Sequence, residues 1–275
     1  MTAHQQEKEL EFSQQRNVAV VLCSSDNTAD VARQVAPSFE RYWPDCPYPR
    51  FVVFSSAAAQ FDCAGWQRIE AGSAAGWREE LHLGLLQLPK SCDSVLLFLD
   101  DFLLTGTVDT ERVVHLADLA RRRKVPYLRF VPLQRSVWTR LRLPRGDDIV
   151  PISPSEPYYS SLQLSLWDRR HLLAMLQARG NIWDFEHQKP DCGVHFAIRT
   201  DPPCSYRHVV EKGRWMPYAP RQFAAANLTF NAGHRPLLGA SYHRRHLLGK
   251  LRFALTGHGP MRLRLLCMRL MRAFR

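Results

Sequence analysis

Two carboxylates stand side by side at the end of an apolar run: Val95-Leu96-Leu97-Phe98-Leu99 leads straight into Asp100-Asp101. Adjacent acids repel one another unless a cation or hydrogen-bond donors offset their charge. A divalent Mg²⁺ or Mn²⁺ shared with a diphosphate supplies such an offset. In an open α/β sheet, ligands bind beyond the carboxyl ends of the strands, so a buried strand ending in two acids delivers them to that edge. The plainer alternative is one acid capping a turn while the other faces solvent. A second grouping, His187, Asp191, Cys192, His195, Cys204 and His208, holds zinc-competent side chains, but its spacings match no familiar zinc module. The signatures GxGxxG, GxxxxGK[ST], GxSxG and HExxH are absent.

Positioning the acid pair requires a sheet. Asn17 to Ser24 and Arg50 to Ser55 are short apolar runs that read as buried strands, with a helix predicted between them over Asp30 to Tyr42. This strand–helix–strand order opens a βαβ fold. A short strand is expected over Gln67 to Glu70, and a helix over Gly76 to Leu88, closed by Pro89. Ser94 to Leu99 is the strongest strand. A helix follows to about Arg123, with Asp109 as its N-cap. Tyr127 to Val131 and Ser161 to Trp167 read as further strands, the second placing Gln163 within it. Residues 132–157 are Pro-rich and charged and read as a long loop. Asp168 to Ala178 reads as a helix closed by Gly180. Beyond it the pattern is irregular, with a strand and turn over Val209 to Trp215 and a helix over Arg221 to Leu228. The expected class is α/β, a mixed and mostly parallel sheet flanked by helices.

The 275 residues carry a net charge of +11, and the excess is confined to one end. From Lys212 to Arg275 there are 13 Lys and Arg and no Asp or Glu, which leaves the first 211 residues at 11 − 13 = −2. A one-signed tail suits a polyanionic partner. Leu263, Leu266, Cys267, Leu270, Met271 and Phe274 share one face of a helix, with Arg262, Arg269, Arg272 and Arg275 mainly opposite. Such a helix lies in a lipid interface or docks on its own domain. No nucleic-acid motif accompanies it, so no specific nucleic acid is expected. The sequence divides into a polar leader (1–16), a body (17–232) and a basic amphipathic tail (233–275). The leader lacks the apolar stretch of a signal peptide. Seven scattered cysteines without a CxxC pair are read as reduced thiols. The expected location is cytoplasmic, peripheral on the inner face of the plasma membrane.

The order of Gly76-Trp77, Leu97-Phe98-Leu99-Asp100-Asp101-Phe102-Leu103, Tyr127-Leu128-Arg129, Ser161-Leu162-Gln163 with Trp167, Trp183-Asp184-Phe185-Glu186 and Gly213-Arg214-Trp215 resembles GT-A-type bacterial glycosyltransferase-like proteins of polysaccharide and lipopolysaccharide synthesis. The resemblance covers roughly residues 17 to 225 and implies a GT-A-like, Rossmann-like sheet. It implies transfer of a sugar from a nucleotide-sugar donor to a glycan or lipid-linked acceptor, assisted by Mn²⁺ or Mg²⁺. Asp101 and Asp100 resemble the family's metal motif, usually Asp-x-Asp; here the acids are adjacent. Ser24, Ser25 and Asp26 fall where the nucleotide loop is expected, with Trp77 as a further nucleotide contact and Arg214 as positive charge for the leaving diphosphate. Glu186, and after it Asp184, resemble the acceptor-side acid that removes a hydroxyl proton in inverting members. Gln163 and Trp183 are the substrate-side candidates. Asp184 and Glu186 also suit the N-terminus of a helix, where acids favour the dipole. Two rival functions share these features: a non-catalytic polyanion- or nucleic-acid-binding α/β protein, and a metal-dependent nucleotidyltransferase.

Overall fold

The computed structural model describes residues 17–239, apart from 58, 73, 75, 134–146, 157 and 191–192. The polar leader and the amphipathic stretch of the tail lie outside the described residues. An eight-stranded sheet runs through the body in the order β3-β2-β1-β4-β8-β6-β9-β7. Its strands are β1 (Val18–Cys23), β2 (Arg50–Phe54), β3 (Trp66–Glu70), β4 (Ser94–Leu99), β6 (Tyr127–Arg129), β7 (Ile149–Pro151), β8 (Ser165–Asp168) and β9 (Phe196–Ile198). β3, β2, β1 and β4 are parallel neighbours; β8 is antiparallel to both β4 and β6. The fold is therefore the mixed, mostly parallel α/β sheet expected from the sequence.

The sheet is covered on both faces, which is why β1, β2 and β4 read as continuous apolar runs. Side chains alternate between the faces. Val20, Leu22, Val52, Phe54, Leu96 and Phe98 face one core, against α1 (Ala29–Val35), α2 (Pro37–Tyr42), α4 (Thr110–Arg122) and α7 (Ala219–Ala225). Ala19, Val21, Val53, Val95 and Leu97 face the other, against α3 (Trp77–Leu86), α5 (Arg169–Leu176) and Phe185 of α6 (Ile182–His187). Gly84 is what lets α3 approach the sheet: a Cβ there would stand 2.5 Å from a Val53 methyl.

Several expectations need correction. The helix foreseen over Asp30 to Tyr42 divides at Ala36-Pro37, because Pro37 has no N–H to continue the ladder. The strand foreseen from Ser161 begins at Ser165, so Gln163 sits in the loop before β8 and not in a strand. The Pro-rich stretch contains β7, an edge strand, as suits its proline. The irregular Trp183 segment is α6, one short helix. Phe102–Leu104 forms β5, which pairs antiparallel with β10 (Tyr206–His208) in a ribbon outside the main sheet. A hairpin follows: β11 (Val210–Glu211) and β12 (Arg214–Trp215), with Lys212 (φ 50) and Gly213 (φ 72) at its left-handed turn.

Residues 231–238 pack on the body. Trp215 N–H donates to the Pro236 carbonyl (3.0 Å), Leu238 N–H to the Trp215 carbonyl (2.8 Å), and the Trp215 indole to the Ala232 carbonyl (3.0 Å). Gln34 and Asn231 bond reciprocally, at 2.8 and 2.9 Å.

Candidate active site

β4 and β1 run parallel with Cys23 opposite Leu99, so the loops after both strands leave the same sheet edge together. Asp100 and Asp101 make the turn from β4 into β5. The Asp100 amide donates to the Cys23 carbonyl (3.1 Å), and the Ser24 hydroxyl donates to Asp100 Oδ2 (2.7 Å). Asp101 turns elsewhere: its Oδ2 lies 3.1 Å from His208 Nδ1, and its carbonyl accepts from Val209 N–H (2.9 Å). The two carboxylates thus leave the turn toward different partners. Burial, and then the charge of Asp101, push the Asp100 carboxyl up to about 7, against weaker pulls from Thr28, Ser24 and Arg235.

A cleft of about 830 Å³ opens at this edge. Its lining includes Leu99, Gln163, Trp183, Glu186, Tyr206, His208, Met216 and Tyr218; Asp100 and Asp101 are not among the lining residues, and His208 connects Asp101 to it. Glu186 is held from the loop before β8: Oε1 accepts from Leu162 N–H (2.9 Å) and from the Ser161 hydroxyl (3.3 Å). Its Oε2 takes no hydrogen bond among the described residues. Gln163 accepts a short hydrogen bond from Tyr206 and lies 3.4 Å, through Nε2, from His208 Nε2. A polar chain therefore runs Tyr206–Gln163–His208–Asp101. Trp183 is 61% exposed and is one of the residues lining the cleft.

The other candidates have different surroundings. Asp184 completes a capping box: Oδ2 accepts from Asn181 N–H (2.8 Å) while Asn181 Oδ1 accepts from Asp184 N–H (3.1 Å). It is exposed and does not line the cleft. Asp26 ties the loops after β1 and β2 together by accepting from Ser56 N–H (3.0 Å) and hydroxyl (2.6 Å). Ser25 caps the one-turn 3₁₀ helix Asp26–Thr28, with its hydroxyl 2.9 Å from that of Thr28. Trp77 is half-buried, edge-on to Phe185 at 5.4 Å. Arg214 is exposed on β12, away from the cleft lining. Of the zinc-competent grouping, Asp191 and Cys192 lie outside the described residues. His195 is fully buried, stacked on Tyr159 at 4.6 Å, with Nε2 2.9 Å from His171 Nε2. Burial pushes its imidazole down to about 3, so it is a neutral core side chain.

Two residues of the site were not reached from the sequence as site residues. His208 was visible only within the zinc-competent grouping. Arg235 had no signal beyond its charge; it is 8% exposed and reaches the loop after β1.

The residues present fit a divalent ion in one respect. The half-buried Asp100 carboxyl, raised to about 7 by desolvation first and by the charge of Asp101 second, is a group whose ionised form a bound cation would favour. Carboxylate oxygens are competent donors to Mn²⁺ and Mg²⁺. Among the described residues no three His, Cys, Asp or Glu side chains stand together as a ready ligand set.

No protein-family model matches the chain, and no curated protein matches it. Among solved structures, the chain is similar to the mannosyltransferase PcManGT of Pyrobaculum calidifontis, solved with GDP-Man and Mn²⁺: 16% identity, 99% of this chain and 90% of that one, TM-score 0.47. It is similar to the galactosyltransferase LgtC, solved with donor and acceptor sugar analogues, at 13% identity over 82% of this chain and 99% of that one, TM-score 0.37. A third is 4-diphosphocytidyl-2C-methyl-D-erythritol synthase of Anaerococcus prevotii, at 10% identity over 64% of this chain and 82% of that one, TM-score 0.35.

Proposed function

We propose that the cleft transfers a sugar from a nucleotide-sugar donor to a hydroxyl of a glycan or lipid-linked acceptor. The observation that carries this reading is one cleft at the carboxyl end of β4, lined by Glu186, which the 161–162 loop fixes, by exposed Trp183, and by His208, whose Nδ1 lies against Asp101. The donor-side loop is Ser24, Ser25 and Asp26. Asp101 and Asp100 would be the groups to hold Mn²⁺ or Mg²⁺, with a shift of their side chains from their present partners Ser24 and His208, and the ion would supply positive charge to the diphosphate. Arg214 would have to swing from its exposed position to add to that charge.

The chemistry assigned to the chain is acid–base. Glu186 Oε2 accepts the proton of the acceptor hydroxyl as its oxygen bonds to the anomeric carbon. The bond from that carbon to the diphosphate breaks, and the nucleoside diphosphate leaves with the electron pair. Attack opposite the leaving group inverts the anomeric centre. Trp183 offers the acceptor sugar an apolar face. Asp184, as a capping residue, is a weaker candidate base. For the whole protein, the basic stretch within 233–275 is the proposed contact to an anionic membrane surface, on the cytoplasmic side. Among the described residues no helix is long and apolar enough to cross a membrane.

The test is a thermal-shift panel of UDP, GDP, CMP and dTDP compounds with and without Mn²⁺, followed by turnover of the best donor. Metal-dependent stabilisation is expected, and Asp101→Asn should lower turnover by about 100-fold or more. Full turnover in Asp101→Asn removes the acid pair from the mechanism. Release of pyrophosphate in place of a nucleoside diphosphate would make the protein a nucleotidyltransferase.

A further inference from the structure

The loop after β1 is not held by its own neighbours alone. Arg235, about 200 residues further along the chain, lies beneath it with only 8% of its surface exposed. Its Nε donates to Asp30 Oδ2 (2.7 Å) and its Nη2 to Asp30 Oδ1 (2.9 Å), a two-pronged guanidinium–carboxylate pair. Nη2 also donates to the Asn27 carbonyl, and Nη1 to the Gly213 carbonyl (3.4 Å). One side chain therefore grips the 3₁₀ turn at Asn27, the start of α1 at Asp30 and the β11–β12 hairpin. The Asp30 carboxyl is held below its usual range by Arg235, against the opposing effect of burial.

The other side of that turn faces Asp100. Thr28 and Ser24 hydroxyls lie 3.2 Å apart, and Ser24 donates to Asp100 Oδ2 at 2.7 Å. The mounting of Arg235 is secure: Pro236 and Leu238 bond to Trp215, and Asn231 to Gln34.

We propose that Arg235 is a positioning residue for the donor side of the site. Residues 231–238 form a strap, and Arg235 is the clamp that fixes the 26–28 turn so that Ser24 and Thr28 face Asp100. This rests on the donor-site reading above. Arg235 itself touches neither donor nor acceptor. Its guanidinium donors are spent on Asp30, Asn27 and Gly213, so a lysine, with one point charge, cannot replace it.

The experiment is calorimetric titration of Mn²⁺ with the nucleoside diphosphate that most stabilises the wild-type protein. Arg235→Met should weaken metal-dependent nucleotide binding about tenfold, the loss expected for one charge-assisted grip. Arg235→Lys should recover only part of this, and Asp30→Asn should weaken it in the same direction. Raising Mn²⁺ should restore part of the binding, because the damage is to the setting of the acid pair. Leu172→Ala, in the core on the opposite face of the sheet, serves as a variant destabilised without touching the strap, and should bind as the wild type does. Wild-type affinity in folded Arg235→Met overturns the proposal. If that variant does not fold, wild-type affinity and Mn²⁺ requirement in Asp30→Asn overturn it instead. If no nucleotide binds the wild-type protein, the donor-site reading fails and this one with it; binding that is equal across wild type and variants overturns the clamp alone.

Discussion

At the scale of single residues, the acid pair sets function against stability. Asp100 is raised from 3.8 to about 7 by burial and by Asp101. An acid whose folded pKa lies above its unfolded one keeps a proton that the unfolded chain has released. Stability is therefore lost as pH rises from about 4 to about 7, and the loss is complete above that. Asp100→Asn removes the penalty while keeping a group of the same size that can accept from Ser24. The metal-free variant should be more stable than the wild type by about 1–3 kcal/mol at pH 7.5, and by much less at pH 4.5, in urea melts. A variant no more stable at pH 7.5 than the wild type would show that Asp100 carries no such penalty. The location of the pair was legible from the five apolar residues before it. Its asymmetry was not: Asp100 and Asp101 differ only through Ser24, Thr28 and His208, which reach them through the fold.

At the scale of elements, legibility followed length and burial. β1, β2 and β4, apolar throughout, were readable nearly to the residue. β5 and β10 have three residues each and pair across about 100 positions, so no local pattern marks them. The start of β8 was misplaced because Leu162 and Leu164 are buried in a loop, and apolar character alone does not distinguish a loop from a strand there. α6 is the consequential case. Its six residues hold two acids with different duties: Asp184 closes the capping box, while Glu186, two positions on, faces the cleft and the 161–162 loop. Substitution separates them. Asp184→Ala should cost about 1 kcal/mol of stability with turnover kept. Glu186→Gln retains an oxygen for the Leu162 amide, so the fold should hold, while transfer falls by about 100-fold or more. Loss of transfer in Asp184→Ala with retention in Glu186→Gln would reverse the two roles.

At the scale of the whole molecule, the question is where the body ends and the basic tail begins. The one-signed charge begins at Lys212 and the sequence division was set at 232/233, but Arg235 is buried, and Pro236 and Leu238 bond to Trp215. Residues 240–275 still hold nine Lys and Arg with no acid, so ending the chain at Gly239 lowers the net charge from +11 to 11 − 9 = +2. Two truncations therefore separate two properties that a single cut would confuse. Ending at Gly239 should abolish salt-sensitive flotation with anionic phosphatidylglycerol vesicles, since each basic residue near such a surface contributes about 1 kcal/mol. Nucleotide binding should survive, because the strap stays in place. Ending at Ala232 should remove both, because Arg235 leaves with the tail. Undiminished flotation of the 1–239 chain would assign membrane contact to the body, and undiminished nucleotide binding by the 1–232 chain would show that the donor-side turn holds its shape without the clamp.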